Sequence, residues 1–197
     1  MNTPPPETVP AVAKKGVWFA VKIVFGVLIL AIAVILGLAA MQSPEMIVER
    51  SMAIEAPADV VFAQVNDFHK WDAWSPWAKM DPNAKNTFEG PTSGVGASFA
   101  WAGNEQVGEG RMTIKESEPN QLIGIDLQFI KPFPGTDQVK FTFKPEGSRT
   151  VVTWNMRGEK IFMCKIMCLF MDMDKMIGQE FEKGLADIKK ICEAAPQ

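Results

Sequence analysis

The chain has 197 residues, 47% hydrophobic and 22% charged, enough for one domain with a sizeable core. A net charge of −3 and a pI near 5.3 argue against a nucleic-acid partner, which would require a basic stripe that the chain lacks. Three cysteines, an odd count, imply no disulfide framework.

Residues 1–15 read as a disordered cytoplasmic tail, because Met1 to Pro10 holds four prolines and little that could bury itself. Lys14 and Lys15 precede GVWFAVKIVFGVLILAIAVILGLAAM (16–41), in which Ile23 to Met41 carries no charge. That apolar run approaches the roughly twenty residues needed to span a bilayer as a helix. Lys22 can snorkel at one end and Trp18 suits the interface, so a single transmembrane helix is expected over 16–41. Lys14, Lys15 and Lys22 lie before the apolar core, whereas Glu45, Glu49 and Arg50 follow it. By the positive-inside rule the rest of the chain lies outside the cytoplasm, which in a bacterium is the periplasm. A cleaved signal peptide is the rival, since GLAAMQ offers small residues to a peptidase. The apolar core exceeds the roughly 7–15 residues of a typical signal and favours an uncleaved anchor.

Beyond Pro44 the text changes character. MIVERSMAI alternates as a strand, with Val48, Met52 and Ile54 on one face. APADVVFAQVNDFHKW reads as a helix: Pro57 suits its first position, Asp59 its N-terminus, and Val61, Phe62, Val65 and Phe68 recur at helical spacing. DAWSPWAKMDPNAKNTFEGPTSGVG is read as a loop punctuated by Pro76, Pro82, Pro91, Gly94 and Gly96, though it carries Trp74 and Trp77. Strands follow in GASFAWAG, EGRMTIKE, QLIGIDLQFI, QVKFTFKP and TVVTWNMRGE, separated by turns such as SEPNQ and PEGSR. Each has one dry face and one wet face, so the sheet is antiparallel and covered on one side. From Met176 the stripe Ile177, Phe181, Leu185, Ile188 and Cys192 predicts a long helix that covers it. Gly178 and Gly184 interrupt that helix at about 1 kcal/mol each, from close approach by backbone or ligand or from plain tolerance.

A strand, two short helices, a meander and a long C-terminal helix is the order of the α+β helix-grip fold. VERSMAIEAPADVVFAQVNDFHKWDAWSPWAKMDPN, TFEGPTSGVGASFAWAGNEQVGEGRMTI and MDKMIGQEFEKGLADIKK resemble the SRPBCC or START-like superfamily, in its polyketide cyclase/dehydrase and lipid-transport branch. The resemblance covers the soluble part, taken as residues 46–195. It implies a curved antiparallel sheet around the long C-terminal helix, with a deep apolar cavity between them. Activity does not follow, because the superfamily holds lipid carriers, hormone receptors and cyclases.

The catalytic inventory is thin. There is one histidine, no tyrosine, and no nucleophile-elbow, metalloprotease or phosphate-loop motif. His69, in DFHKW, is a weak candidate base that would need Asp67 or Asp72 as partner. Asp126 falls on the wet face of its strand, and Glu109 and Arg111 read as surface pairs. The aromatic residues carry more: Trp71, Trp74, Phe99, Trp101, Phe129, Phe143 and Trp154 suit either a core or the wall of a cavity for a lipid, sterol or polycyclic ligand. In the cavity case indole N–H groups would be its few polar handles. Ile177 and Phe181 of the last helix would complete the wall.

FMCKIMCLFMDMDKM (162–176) holds five of twelve methionines and two of three cysteines. Met163, Met167 and Met171 at i, i+4 and i+8 would suit Cu(I), yet no histidine is near and the segment is apolar nearly all round. A packed helix is a second possibility. The favoured expectation is a pliable cavity rim made by Met163, Met167 and Phe170; if these faced only solvent or bilayer, membrane contact would replace it. The expected function is therefore a membrane-anchored domain binding a hydrophobic small molecule or lipid, with no cofactor and no metal. The alternatives are a polyketide cyclase/dehydratase-like enzyme and an interaction module whose cavity is filled by side chains.

Overall fold

The computed structural model describes residues 11–194, with side chains from residue 17 onward; Met1 to Pro10, most of the expected tail, lies outside the described residues. The described chain forms two compact units, one comprising residues up to Gln42 together with Phe162–Phe170, the other Ser43–Ile161 together with Met171 onward.

The larger unit is a seven-stranded antiparallel sheet with helices on one face. Strands β1 (Glu45–Ile54), β2 (Lys85–Glu89), β3 (Ser98–Ala102), β4 (Glu109–Glu118), β5 (Leu122–Lys131), β6 (Gly135–Glu146) and β7 (Arg149–Glu159) lie in the order β1-β7-β6-β5-β4-β3-β2. β1 therefore closes against β7, and the rest is a meander. Alternation decides the faces: Ile123 and Ile125 of β5, Val139, Phe141 and Phe143 of β6, and Val152, Trp154 and Met156 of β7 are all buried. Register shifts in β4 at Glu109/Gly110 and Ile114/Glu116 are bulges of the kind that bend a sheet.

Helix α2 (Ala58–Val65), a 3₁₀ turn (Phe68–Lys70), α3 (Trp71–Trp74) and α4 (Pro76–Met80) follow β1. The long α6 (Met173–Ala194), named after a short α5 (Phe162–Met167) in the other unit, lies against the sheet. Asp172 Oδ1 accepts the Lys175 backbone N–H at 3.0 Å and starts α6 as an N-cap. Its stripe Phe181, Leu185, Ile188 and Cys192 is buried. This is the helix-grip arrangement.

Both glycines of α6 mark close approach. A Cβ on Gly178 would overlap the Arg50 guanidinium, which crosses the helix there to reach Asp174 and Glu182. A Cβ on Gly184 would lie 2.9 Å from Trp154 Cζ3 and 3.3 Å from Pro76 Cδ.

The smaller unit consists of α1 (Ala11–Met41), which begins five residues before the expected Gly16, and α5 with the turn that follows it. Val17–Met41 is long and apolar enough to cross a membrane by length and composition, as a signal sequence also would be.

Candidate functional site

The larger unit contains an open cleft of about 180 Å³ lined by Phe68, His69, Phe88, Glu89, Gly90, Pro91, Thr92, Ala97 and Ser98. Three local features build it. The 3₁₀ turn offers Phe68 and His69, with Asp67 Oδ1 accepting the His69 backbone N–H at 2.9 Å. β2 supplies Phe88 and Glu89. The 90–97 loop folds over on glycines at positive φ, and Gly90 has no room for a Cβ beneath the Gly96 carbonyl. Backbone bonds from Gly94 N–H to Asn66 O at 3.1 Å and from Gly96 N–H to Ile114 O at 2.9 Å hold that loop in place.

The cleft is mixed in character. His69 stacks on Phe88 with centroids 4.1 Å apart, and its Nδ1 lies 3.0 Å from Asp67 Oδ1. Arg111 Nη1 donates to Glu89 Oε2 at 2.8 Å and to Ser98 Oγ at 3.3 Å. The Arg111 contact holds the Glu89 carboxyl below its ordinary range. Of the two acidic partners open to His69 in the sequence, Asp67 is the one that engages it.

From the cleft inward, aromatic rings touch in an unbroken chain. Phe88 meets Phe99 (5.2 Å), Phe99 meets Trp101 and Phe68 (6.0 Å each), Phe68 meets Trp71 (5.2 Å), and Trp71 meets Trp74 (4.5 Å) and Trp154 (6.5 Å). The chain ends where Trp154 and Phe181 stack in parallel at 4.0 Å, with Trp77 edge-on to both. Phe129 joins through Trp101 at 6.4 Å. Nine of the expected wall residues thus lie in the larger unit's core or against it, with Ile177 partly buried there and Phe143 on Phe62 at 5.4 Å. Met163, Met167 and Phe170 belong to the smaller unit, where they are exposed.

The indole N–H groups divide unequally. Trp71 Nε1 donates to Val65 O (3.0 Å), Trp74 Nε1 to Gln64 O (3.1 Å) and Trp101 Nε1 to Val107 O (3.0 Å). Those three are committed to backbone carbonyls. Trp154 Nε1 is, among the described residues, the one buried side-chain polar atom without a partner. An unpaired buried donor costs about 1–3 kcal/mol, so an acceptor brought to it gains correspondingly.

A second buried polar group was not foreseen. Asp137 falls in phase with Val139 and Phe141 on the inward face of β6, its carboxyl lies where a Gly158 Cβ would be, and burial pushes its pKa up. Asp126, by contrast, is half-buried with Lys115 at 3.8 Å, and Glu109 pairs with Lys131 at 2.7 Å.

Comparison with known proteins agrees with this architecture. The family model described as polyketide cyclase/dehydrase and lipid transport matches residues 45–193. The chain belongs to that family. Solved structures of the same fold include a Chromobacterium violaceum protein (12% identity, 76% of this chain and 98% of that one, TM-score 0.56). A Mesorhizobium loti protein matches at 15% identity over 78% and 99%, with TM-score 0.55. A Mycobacterium smegmatis protein titled as START superfamily matches at 16% over 75% and 97%, with TM-score 0.53. No curated protein matches the chain significantly. At such identities the likeness concerns the fold, and polyketide cyclase/dehydrase family membership leaves the chemistry to the residues above.

Proposed function

We propose that this polyketide cyclase/dehydrase family member is a single-pass, membrane-anchored domain that binds a hydrophobic small molecule, a lipid or similar membrane component. The observation that carries the reading is the chain of rings running from an open cleft to the unpartnered Trp154 Nε1. Aromatic walls with few polar handles are the common character of sites for apolar ligands. At about 180 Å³ the cleft is smaller than the roughly 300–1,000 Å³ of pockets for drug-sized ligands. Binding therefore parts the rings, with the ligand's apolar body replacing ring-on-ring contact and an acceptor reaching Trp154. Affinity then follows apolar burial at about 25 cal/mol per Å². Anchoring through α1, in the orientation set by Lys14, Lys15 and Lys22, raises the encounter rate with anything dissolved in the bilayer.

The test is organic extraction of the full-length protein, purified in mild detergent, followed by mass spectrometry. A single apolar compound class should be retained near one per chain, and Phe88→Asp at the cleft should reduce its retention while the protein stays folded. Extracts indistinguishable from those of an unrelated membrane protein would sink the reading and favour a core filled by its own side chains. The His69–Asp67 pair at the cleft supports a second reading, acid–base chemistry on the bound compound. His69→Gln would then abolish its conversion without altering retention.

A further inference from the structure

Phe162–Phe170 of the methionine segment belongs to the smaller unit, with α1. From residue 17 to 42 every residue is exposed except Ile35, Ala39 and Gln42. These recur at i, i+4 and i+7, one face of a helix. α5 is the element packed on α1 within this unit. Gln42 Nε2 also donates to the Lys165 carbonyl at 3.0 Å. At 1.5 Å per residue, Ile35 to Gln42 spans about 10 Å, so the covered face occupies only the last two turns of the apolar helix.

The other side of α5 is bare and apolar. Phe162 and Met163 are 49% exposed, Met167 36% and Phe170 71%. Met163 and Met167 stand one turn apart on α5, and Phe170, in the turn that follows, is tied back to the helix end by its N–H to Met167 O bond at 3.0 Å. Lys165 is the sole charge between Ile161 and Met171. Exposed, flexible methionines and phenylalanines beside the end of an apolar helix have the chemistry that suits the headgroup–acyl boundary.

We propose that α5 and the turn after it form a second membrane-contacting element, with Met163, Met167 and Phe170 inserted into the interfacial layer of the bilayer that α1 crosses. The inference rests on α1 spanning that bilayer and is independent of the ligand reading. Two attachment points would fix the rotation of α1 about its axis, which a lone helix leaves free. Lys165 supplies a cation that suits anionic headgroups.

Spin labels test this in the full chain with its three cysteines replaced by serine or alanine, in phosphatidylcholine–phosphatidylglycerol vesicles. Labels go singly at Phe170→Cys, at Leu30→Cys within α1, and at Thr87→Cys on the exposed β2. Collision with oxygen against a water-soluble nickel chelate should put Leu30 deep, Phe170 about 5–10 Å below the headgroups, and Thr87 in water. A Phe170 label that behaves like Thr87, or one shielded from both reagents as by a protein partner, overturns the proposal while Leu30 keeps the anchor. A Leu30 label in water removes the anchor and this proposal together. In the unaltered chain, a phosphatidylcholine with a photoactivatable acyl chain should label residues 161–175 as well as α1; label on α1 alone counts equally against it.

Discussion

α5 and α6 are neighbours in sequence and both carry apolar residues at helical spacing, yet they treat those residues in opposite ways. α6 buries Phe181, Leu185, Ile188 and Cys192 and pins its wet side with ion pairs from Arg50 and Lys79. α5 has no buried residue and leaves Phe162, Met163 and Met167 bare. The difference teaches that apolar spacing sets which side of a helix avoids water, while the apolar phase that receives it depends on what lies beside the helix. For α6 that phase is the sheet's dry face; for α5, in our reading, it is lipid.

The contrast breaks most visibly at two phenylalanines. Phe181→Ala removes the ring stacked on Trp154 and should cost about 3–5 kcal/mol in denaturant unfolding of the larger unit. Phe170→Ala should change the same unfolding by no more than about 0.5 kcal/mol. Equal losses at both positions would mean that α5 is part of the folded core and not a lipid element.

A smaller effect sharpens how tightly α6 is seated. Gly184→Ala places a methyl 2.9 Å from the Trp154 ring, which is already stacked on Phe181 at 4.0 Å. Overpacking of about 1–3 kcal/mol then outweighs the roughly 1 kcal/mol that alanine returns to the helix, so thermal stability should fall. A rise would show that the helix has room.

The smallest expected effect is a pH dependence at Cys192. Burial, with Glu193 adding to it, pushes this thiol up to about 11 from an ordinary 9.0. A raised pKa favours the protonated folded state, so its contribution is intact below about pH 9 and lost as pH rises towards 11. Stability should decline over that window in the native chain and less so in Cys192→Ala, as followed by thermal melts.

Much of the fold was legible because five of the seven strands and α6 carry strong periodicity with one buried face, and β3, where Phe99 and Trp101 are half-buried, was legible as well. β2 was not: all of Lys85–Glu89 is exposed, and an edge strand with two wet faces shows no alternation. α3 and α4 are four and five residues long, too short to display a helical period inside a proline-marked loop. Asp137 escaped notice because its strand was begun at Gln138, so its phase with Val139 and Phe141 went uncounted. For the candidate site, Asp67 and Asp72 were both legible as partners for His69, but the acceptors of Trp71, Trp74 and Trp101 are backbone carbonyls, which leave no trace in residue type. Gly178 and Gly184 announced close approach without naming Arg50 and Trp154. The methionine segment gave its apolar character and withheld its neighbour, since α1 lies more than a hundred residues earlier.

The most direct test of ligand binding is the fluorine spectrum of the full chain labelled with 5-fluorotryptophan, in detergent and then with the lipid extract of its own membranes. The account predicts that the Trp154 resonance, assigned through Trp154→Phe, shifts on adding extract, while Trp74, whose indole already donates to Gln64, moves less. A Trp154 resonance unchanged at saturating extract would contradict it and leave the rings as a closed core.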